Sequence, residues 1–210
     1  MSRRLVVSSL MATALIATAL SVVGCKKEEK AKEAAPAPVQ TAAPAQQAAA
    51  PAPKAGVASY DFESSVNGWG STDKAVNIAR SGEVKHAGNF GLKVAGKSGE
   101  KLYNFAVSPK FPLEPGKKYK LTGWMLVQSV EDAKLPPILK CGTYQDGKWV
   151  ANAFTKKYAL AKKGEWQELS TTFEAPKGDK VTGMVSVEKG DAKANTATLF
   201  LDDIQVAPLQ

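Results

Sequence analysis

Apolar and polar residues alternate in short runs from residue 59 to the end of the chain, with the two-residue period of β-strands. Turn-forming pairs such as Asp146-Gly147 and Lys189-Gly190 separate the runs. No convincing amphipathic helix interrupts them, although residues 155–161 leave open a short helix or an excursion between strands. The predicted strands are 60–63, 75–80, 90–94, 103–108, 118–127, 138–144, 149–154, 166–174, 181–188 and 198–206. Many short strands at regular spacing indicate an all-β sandwich or jelly roll.

The longest alternating run, residues 118–127, has one apolar face, which consists of Tyr119, Leu121, Met125 and Val127. Because successive side chains of a strand point to opposite sides, we expect this face in the core. Trp124 falls on the other face and is therefore predicted to point out of the core.

The first 24 residues have the composition of a secretory signal: two arginines, an apolar run at 5–23 and a small residue at the junction. Val22-Val23-Gly24-Cys25 resembles a bacterial lipobox, in which the cysteine is diacylated on sulfur and becomes the new N-terminus. A plain signal peptide with an incidental cysteine and an uncleaved transmembrane anchor are the alternatives. The charged segment KKEE directly after Cys25 favours the lipoprotein. We expect the mature protein to be held at a membrane by acyl chains on Cys25.

Residues 25–58 are predicted to be the lipidated N-terminus and a disordered stalk. Residues 34–58 contain almost only Ala, Pro and Gln, so no burial of apolar side chains offsets the entropy of ordering. Repeated Ala-Pro steps favour extended conformations that act as a spacer. The expected organisation is a signal peptide at 1–24, this stalk at 25–58, and one folded domain at 59–210.

The net charge of +8 does not indicate a nucleic-acid partner. Within the predicted folded domain, 21 Lys and Arg stand against 17 Asp and Glu, without a cluster. Proteins that bind nucleic acids concentrate basic residues on one face or stripe, so we expect no such partner here. Cys141 lies in an apolar strand pattern and is expected to be a buried, inert thiol.

Five segments carry a resemblance to a known family: DFESSVNGW, SGEVKHAGNFGLKV, SPKFPLEPGKKYKLTGWM, GEWQELSTTFEAP and LFLDDIQV, in this order. Together they resemble carbohydrate-binding modules of the 4/9/16/22 type over essentially all of residues 59–209. The resemblance implies a jelly-roll β-sandwich with the galactose-binding-like fold. It also implies that Trp69 and Trp166 sit at strand ends and pack over the core. It is a weaker guide to function, because one fold hosts many functions.

The same resemblance implies a structural Ca²⁺ where the first strand meets the last. By position, the carboxylate ligands would be Glu63 and Asp202, with backbone carbonyls from around Asp61 and His86 and with Glu83 as a further ligand. Ca²⁺ takes roughly 6–8 oxygen ligands from carboxylates and carbonyls, and the ion would explain why these acidic groups are tolerated together. The alternative is that Glu63 and Asp202 are solvated residues at strand ends.

A sugar-binding face is a second expectation, because sugars pack their C–H faces on aromatic rings and hydrogen-bond through their hydroxyls. If Cys141 is internal, its neighbour Lys140 and Tyr144 share the opposite face, and Trp149 begins the partner strand. We expect these residues to line one concave face together with residues of the longest run. The expected ligand-binding residues are Trp124, Tyr144, Trp149, Lys140 and Gln128. The alternative is that Trp149 only caps a hairpin.

Catalytic machinery is not evident in the sequence. His86 is the only histidine, and it falls in a predicted turn. Asp202 and Asp203 are adjacent in a strand, so the two-residue period predicts that they face opposite sides and do not flank one glycosidic bond. Zinc-ligand spacings and Gly-rich phosphate loops are missing from the sequence. We therefore expect no enzyme.

Two functions remain open. The first is a monomeric, membrane-anchored, non-catalytic lipoprotein that binds polysaccharide. The second is a structural or assembly lipoprotein of the cell envelope that uses the same β-sandwich to bind a protein partner. An aromatic-lined groove favours sugar, whereas a flat or filled face favours protein. Lys26 stands where inner-membrane retention calls for Asp, which favours the outer membrane.

Overall fold

The computed structural model describes residues 57–210. The expected signal peptide at 1–24, the expected lipidation site Cys25 and almost all of the expected stalk lie outside the described residues. The first strand begins at Ala58, one residue before the expected start of the folded domain. Within residues 57–210, no helix is long and apolar enough to cross a membrane.

Eleven strands and one 3-10 helix, Leu160–Lys162, make up the regular structure of the described residues. The strands are β1 (Ala58–Tyr60), β2 (Val76–Ser81), β3 (Gly91–Ser98), β4 (Asn104–Val107), β5 (Phe111–Pro112), β6 (Lys118–Val130), β7 (Ile138–Gln145), β8 (Lys148–Lys157), β9 (Gln167–Glu174), β10 (Val181–Glu188) and β11 (Asn195–Pro208). The prediction of an all-β fold is confirmed. The short strand β5 was not predicted, and the segment left open as a helix is divided between the end of β8 and the 3-10 helix.

The strands form two antiparallel sheets that pack as a sandwich. The six-stranded sheet has the order β2-β3-β11-β6-β9, and β1 pairs with β11. The five-stranded sheet has the order β4-β10-β7-β8, and β5 pairs with β10. Strands β6 and β7 are consecutive along the chain but belong to different sheets, which decides where their outward side chains lie.

The core lies between the two sheets and follows the two-residue period. The apolar face of β6 is fully buried, as predicted, and Leu139, Cys141 and Val185 meet it from the five-stranded sheet. Full burial of such a side chain stabilises the fold by about 1.5–3 kcal/mol. Burial also raises the pKa of the Cys141 thiol to about 12, which keeps it protonated. The side chains between these core positions therefore point to the two outer faces of the sandwich.

Candidate functional site

A groove of about 440 Å³ lies on the outer face of the five-stranded sheet. Its floor is formed by side chains of β7 and β10, and its rim by residues of β8 and the start of β4. The lining residues are Lys140, Gly142 and Tyr144 from β7, Met184, Ser186 and Glu188 from β10, Trp149, Asn152 and Phe154 from β8, and Tyr103 with Asn104 at the start of β4.

The floor side chains point outward because their neighbours along each strand are in the core. Leu139 and Cys141 are buried between the sheets, so Lys140 lies on the groove side, as expected. Val185 and Val187 have the same effect on Ser186 and Glu188. This signal was present in the sequence, because VTGMVSVE alternates with apolar or glycine residues on one face and polar residues or Met on the other.

A β-bulge in β8 brings Trp149 into the groove. Trp149 and Asn152 are three residues apart, which would place them on opposite faces of a regular strand. Tyr144 pairs with Trp149 and Thr143 with Ala151, so Val150 is an extra residue opposite β7. Such a bulge re-aims the side chains beside it. The Trp149 indole Nε1–H then donates a hydrogen bond of 3.1 Å to Asn152 Oδ1.

Three large rings at the rim are open to solvent: Trp149 is 59% exposed, Tyr103 54% and Phe154 46%. They line one groove, and exposed apolar side chains gathered in this way mark binding surfaces. Tyr144 is more buried, and partial burial raises the pKa of its phenol. The Lys110 Nζ atom lies 4.0 Å from the Tyr144 ring centroid.

The floor contains a buried ion pair between Lys140 and Glu188, whose ammonium and carboxylate groups are hydrogen-bonded to each other. The Lys140 Nζ atom also lies 5.7 Å from the centroid of the Phe154 ring. Paired charges of this kind offset each other, whereas either charge alone would be costly to bury.

Two further polar atoms of groove-lining residues have no hydrogen-bond partner among the described residues: Ser186 Oγ in the floor and Asn104 Oδ1 at the start of β4. Both atoms are buried. Leaving a buried polar atom unsatisfied costs about 1–3 kcal/mol. Both residues line the groove, which places the two atoms next to any ligand bound there.

Trp124 and Gln128 do not join this groove, which corrects the expected grouping. Both belong to β6, in the six-stranded sheet, whereas Tyr144, Trp149 and Lys140 belong to the five-stranded sheet. Trp124 does point out of the core, as predicted, but out of the opposite side of the sandwich. Its ring is stacked on His86 with centroids 3.8 Å apart and planes inclined by 14°. Gln128 is exposed on the same strand.

The remaining two tryptophans differ from each other. Trp69 is buried and packs edge-on against Tyr60 with centroids 5.5 Å apart, as a structural role requires. Trp166 does not belong to the core. It is half-buried directly before β9 and meets the His86 ring edge-on at 5.7 Å.

A family model described as a carbohydrate binding domain, of the CBM 4/9 type, matches residues 54–197. The chain belongs to this family. The match covers most of the sandwich, including the whole of the groove. A comparison with curated protein sequences gives no match.

Several solved structures have the same fold as this carbohydrate-binding domain. One is the CBM22-2 xylan-binding domain from Paenibacillus barcinonensis, with 14% identity and a TM-score of 0.54 over 73% of this chain and 99% of that one. Another is the structure of the CBM22-1 and GH10 modules of a Clostridium thermocellum endo-1,4-beta-D-xylanase in complex with xylohexaose, with 19% identity and a TM-score of 0.55. The similarity covers 74% of this chain and 28% of the xylanase chain.

The loop His86–Phe90 of this carbohydrate-binding domain holds two of the expected metal ligands, one at each end. Asp202 Oδ2 accepts hydrogen bonds from the backbone N–H groups of His86 at 2.8 Å and Ala87 at 3.2 Å. Glu63 Oε1 accepts them from Asn89 at 2.8 Å and Phe90 at 3.1 Å.

Gly88 lies between these contacts at φ +58°, and a Cβ atom there would stand 2.2 Å from Glu63 Oε1. Only glycine allows so close an approach.

The two carboxylates differ in electrostatics. Asp202 is only 1% exposed, and burial raises its pKa to about 6 although three backbone N–H groups donate to it. The pKa of Glu63 is lowered, chiefly by the backbone hydrogen bond from Asn89. A cation beside Asp202 would stabilise its charged form.

The side chains of Asp61 and Glu83, expected at or near the Ca²⁺ site, have other surroundings. Asp61 Oδ1 accepts a hydrogen bond of 3.1 Å from the backbone N–H of Glu63, which closes a local turn. Glu83 is exposed and lines a separate cleft beside Arg80 and Lys93. Within residues 57–210, no group of three or more His, Cys, Asp or Glu is placed to hold a metal ion. Glu63 and Asp202 therefore fit the oxygen chemistry of Ca²⁺ only if the remaining ligands are carbonyls or water.

Asp202 and Asp203 do not face opposite sides, which corrects the prediction from the strand period. The register of β11 shifts between Asp202 and Gln205, and Asp203 has a left-handed φ of 47°. The irregularity turns both carboxylates toward His86: Asp202 accepts from its backbone, and Asp203 Oδ2 lies 2.9 Å from its ring Nδ1.

Proposed function

We propose that this protein is a membrane-anchored, non-catalytic lipoprotein whose groove on the five-stranded sheet binds polysaccharide. The observation that carries the proposal is the combination of three exposed rings with two unpartnered, buried polar atoms in one groove. Exposed apolar rings and unsatisfied buried polar atoms both cost free energy, and a bound ligand that covers them removes that cost. Membership in a carbohydrate-binding family supports a sugar as that ligand.

The chemistry of the groove matches the two sides of a sugar. Trp149, Tyr103 and Phe154 offer flat apolar surface for the C–H faces of sugar rings. Ser186 Oγ and Asn104 Oδ1 offer hydrogen bonds to hydroxyl groups that pass over the floor. The groove is neither flat nor filled, and this favours sugar over the protein partner considered as the second function.

The structural neighbours suggest the first probe, because one of them is a xylan-binding domain and another is a complex with xylohexaose. The full chain, purified in detergent, would be run in native gels that contain xylan, hydroxyethyl cellulose or no polysaccharide. We expect slower migration in at least one polysaccharide gel. Unchanged migration in all of them, together with capture of a protein partner through the groove face, would support the second function instead.

The anchor is proposed from the sequence alone: cleavage after residue 24, acylation of Cys25 and a stalk at residues 25–58 would tether the groove to the cell envelope, at the outer membrane. A Cys25→Ala variant should lose incorporation of labelled palmitate and leave the membrane fraction. Retention of the label by this variant would contradict the proposal.

A structural Ca²⁺ is proposed at the His86–Phe90 loop, held by the carboxylates of Glu63 and Asp202 with backbone carbonyls from around Asp61 and His86. When bound, the ion would supply the positive charge that the buried Asp202 carboxylate requires. Even without an ion, hydrogen bonds to Asp202 and Glu63 fix the loop to β11 and to the segment after β1. Chelation is therefore expected to weaken this attachment rather than to abolish the fold.

A further inference from the structure

We propose that the Lys140–Glu188 ion pair sets the charge selectivity of the groove: the intact pair accepts the hydroxyl groups of neutral polysaccharides and rejects glycans that carry carboxylates. The inference rests on the proposed function, because it assumes that the ligand of the groove is a glycan. It assigns a specificity-determining role to two side chains of the floor.

The positive charge of Lys140 in the floor is already neutralised by Glu188. The side chains of Lys140 and Glu188 are 8% and 11% exposed, and the ammonium group donates to Glu188 Oε2. An incoming carboxylate would lose its hydration and find no unpaired cation, while the Glu188 carboxylate beside the lysine would repel it. Burying a charge without a partner is costly.

The neighbours of the pair reinforce this selection. Lys140 is paired across the strands with Ser186, and Glu188 with Asn104. Asn104 Oδ1 and the Glu188 carboxylate only accept hydrogen bonds, and Ser186 Oγ accepts and donates. A sugar hydroxyl donates to such atoms, whereas an ionised carboxylate has no hydrogen to give. Asn104 Oδ1 therefore requires a donor such as a hydroxyl group, and Ser186 Oγ can pair with a hydroxyl group in either direction.

The nearby Lys110 does not reverse the preference. Its side chain is exposed and lies over the Tyr144 ring at the groove's edge. An exposed charge is screened by water and salt, so its attraction for an acidic glycan is small at physiological ionic strength.

The test compares retention of the full chain on neutral and acidic polysaccharides with the same backbone: hydroxyethyl cellulose against carboxymethyl cellulose, and unsubstituted linear xylan against glucuronoxylan. The wild-type chain is expected to be retained more strongly by the neutral member of each pair that it binds, at physiological ionic strength and above. Stronger retention by the acidic member overturns the inference but leaves the proposed function standing. Retention by none of the four overturns the proposed function itself.

The two single variants should change the binding of acidic polysaccharide in opposite directions. In Glu188→Gln, Lys140 becomes unpaired, so retention on the acidic polysaccharide should rise while retention on the neutral one falls by about tenfold, as expected for one lost charge-assisted hydrogen bond. In Lys140→Met, the unpaired Glu188 should weaken acidic binding further. Unchanged selectivity in both variants would contradict the proposal.

Removal of one partner from a buried pair is itself destabilising, so the double variant Lys140→Met/Glu188→Gln provides a second route. It removes both charges at similar volume, so the repulsion from Glu188 disappears and the preference for the neutral member of a pair should become weaker than in the wild-type chain. Full wild-type discrimination in the double variant overturns the proposal. The matched control is Glu114→Gln, which breaks the exposed Lys117–Glu114 pair outside the groove and should change neither affinity nor selectivity.

Discussion

The two outer faces of the sandwich use their aromatic residues in different ways. On the five-stranded sheet, the Trp149 ring is open to solvent, and the hydrogen bond from its indole N–H to Asn152 fixes it at the groove rim. On the six-stranded sheet, the Trp124 ring is stacked on His86, whose own ring is held by Asp203. Both tryptophans point away from the core, but only one retains a free face.

The difference shows that an outward aromatic residue is a candidate binding residue only if no local segment covers it. Trp124 is covered because Asp202 and Asp203 of β11 hold His86, the first residue of the loop His86–Phe90, against its ring. The five-stranded sheet has no corresponding cover over β7 and β8 among the described residues, and the rings of Trp149 and Phe154 stay exposed beside the groove. The predictions below test this contrast.

The largest expected effect is the loss of affinity in Trp149→Ala. Truncation of an aromatic residue on which a ligand packs costs about 2 kcal/mol or more, which is roughly 30-fold in affinity. The matched control, Trp124→Ala, should keep its affinity for the retained polysaccharide. It should instead lose about 1 kcal/mol of unfolding free energy, because the stack on His86 disappears. Affinity electrophoresis and urea denaturation measure the two effects, and the reverse outcome would refute the assignment of the two faces.

The second effect concerns Asp202 on the covered face. Its folded pKa of about 6 exceeds the usual unfolded value of about 3.9, so in metal-free protein the folded state binds the proton more tightly. The contribution of Asp202 to stability is therefore greatest below about pH 4 and is lost as the pH rises through about 6. Urea denaturation in chelator at pH 4.5 and pH 7 should show this loss in the wild-type chain and not in Asp202→Asn.

Addition of Ca²⁺ at pH 7 should restore stability to the wild-type chain, because the cation stabilises the charged carboxylate. Asp202→Asn should respond much less. Binding of polysaccharide should change little in either case, since the groove lies on the other sheet. A wild-type stability that ignores both pH and Ca²⁺ would argue against a cation at this loop.

A smaller effect is expected from Gly142→Val in the groove floor. A Cβ atom at this position would lie 3.2 Å from Asn152 Oδ1 and 3.4 Å from the Tyr144 ring, so the added side chain narrows the groove. Affinity should fall by about fivefold, which corresponds to roughly 1 kcal/mol. An unchanged dissociation constant by isothermal titration with xylohexaose, for a wild-type chain that binds it, would exclude a ligand at the floor.

The smallest expected effect concerns Cys141, whose thiol should not react with labelling reagents in the folded protein. Its thiol is buried in the core and has a pKa raised to about 12, so almost no thiolate forms at pH 8. Maleimide labelling, followed by mass spectrometry, should detect the modified cysteine only after denaturation. Rapid labelling of the native chain would show that the core opens near β7.

The strand period predicted the core face of β6 and the outward residues of β6 and β7 correctly, because that period is a local property of the backbone. It did not predict which sheet each strand joins. Trp124 and Tyr144 were grouped because both point outward, but β6 and β7 lie in different sheets. Sheet membership depends on pairing with β10 and β11, which are distant in sequence.

Two bulges also escaped prediction. One turns Trp149 toward Asn152, and the other turns Asp202 and Asp203 together toward His86. An extra residue in a strand depends on the partner strand's register, and the alternation within one strand carries no trace of it. The rim residues Tyr103 and Phe154 were missed for a related reason. Their exposure depends on how distant segments pack around them, which the local pattern does not contain.

The indole N–H signals of the four tryptophans provide the most direct test of the account. With the full chain labelled with ¹⁵N in detergent, xylan oligosaccharides or another retained glycan would be titrated while these four signals are followed by NMR. The account predicts that the Trp149 signal shifts and that those of Trp69, Trp124 and Trp166 stay in place. A shift of the Trp124 or Trp166 signal with an unmoved Trp149 signal would contradict the assignment of the groove as the binding site.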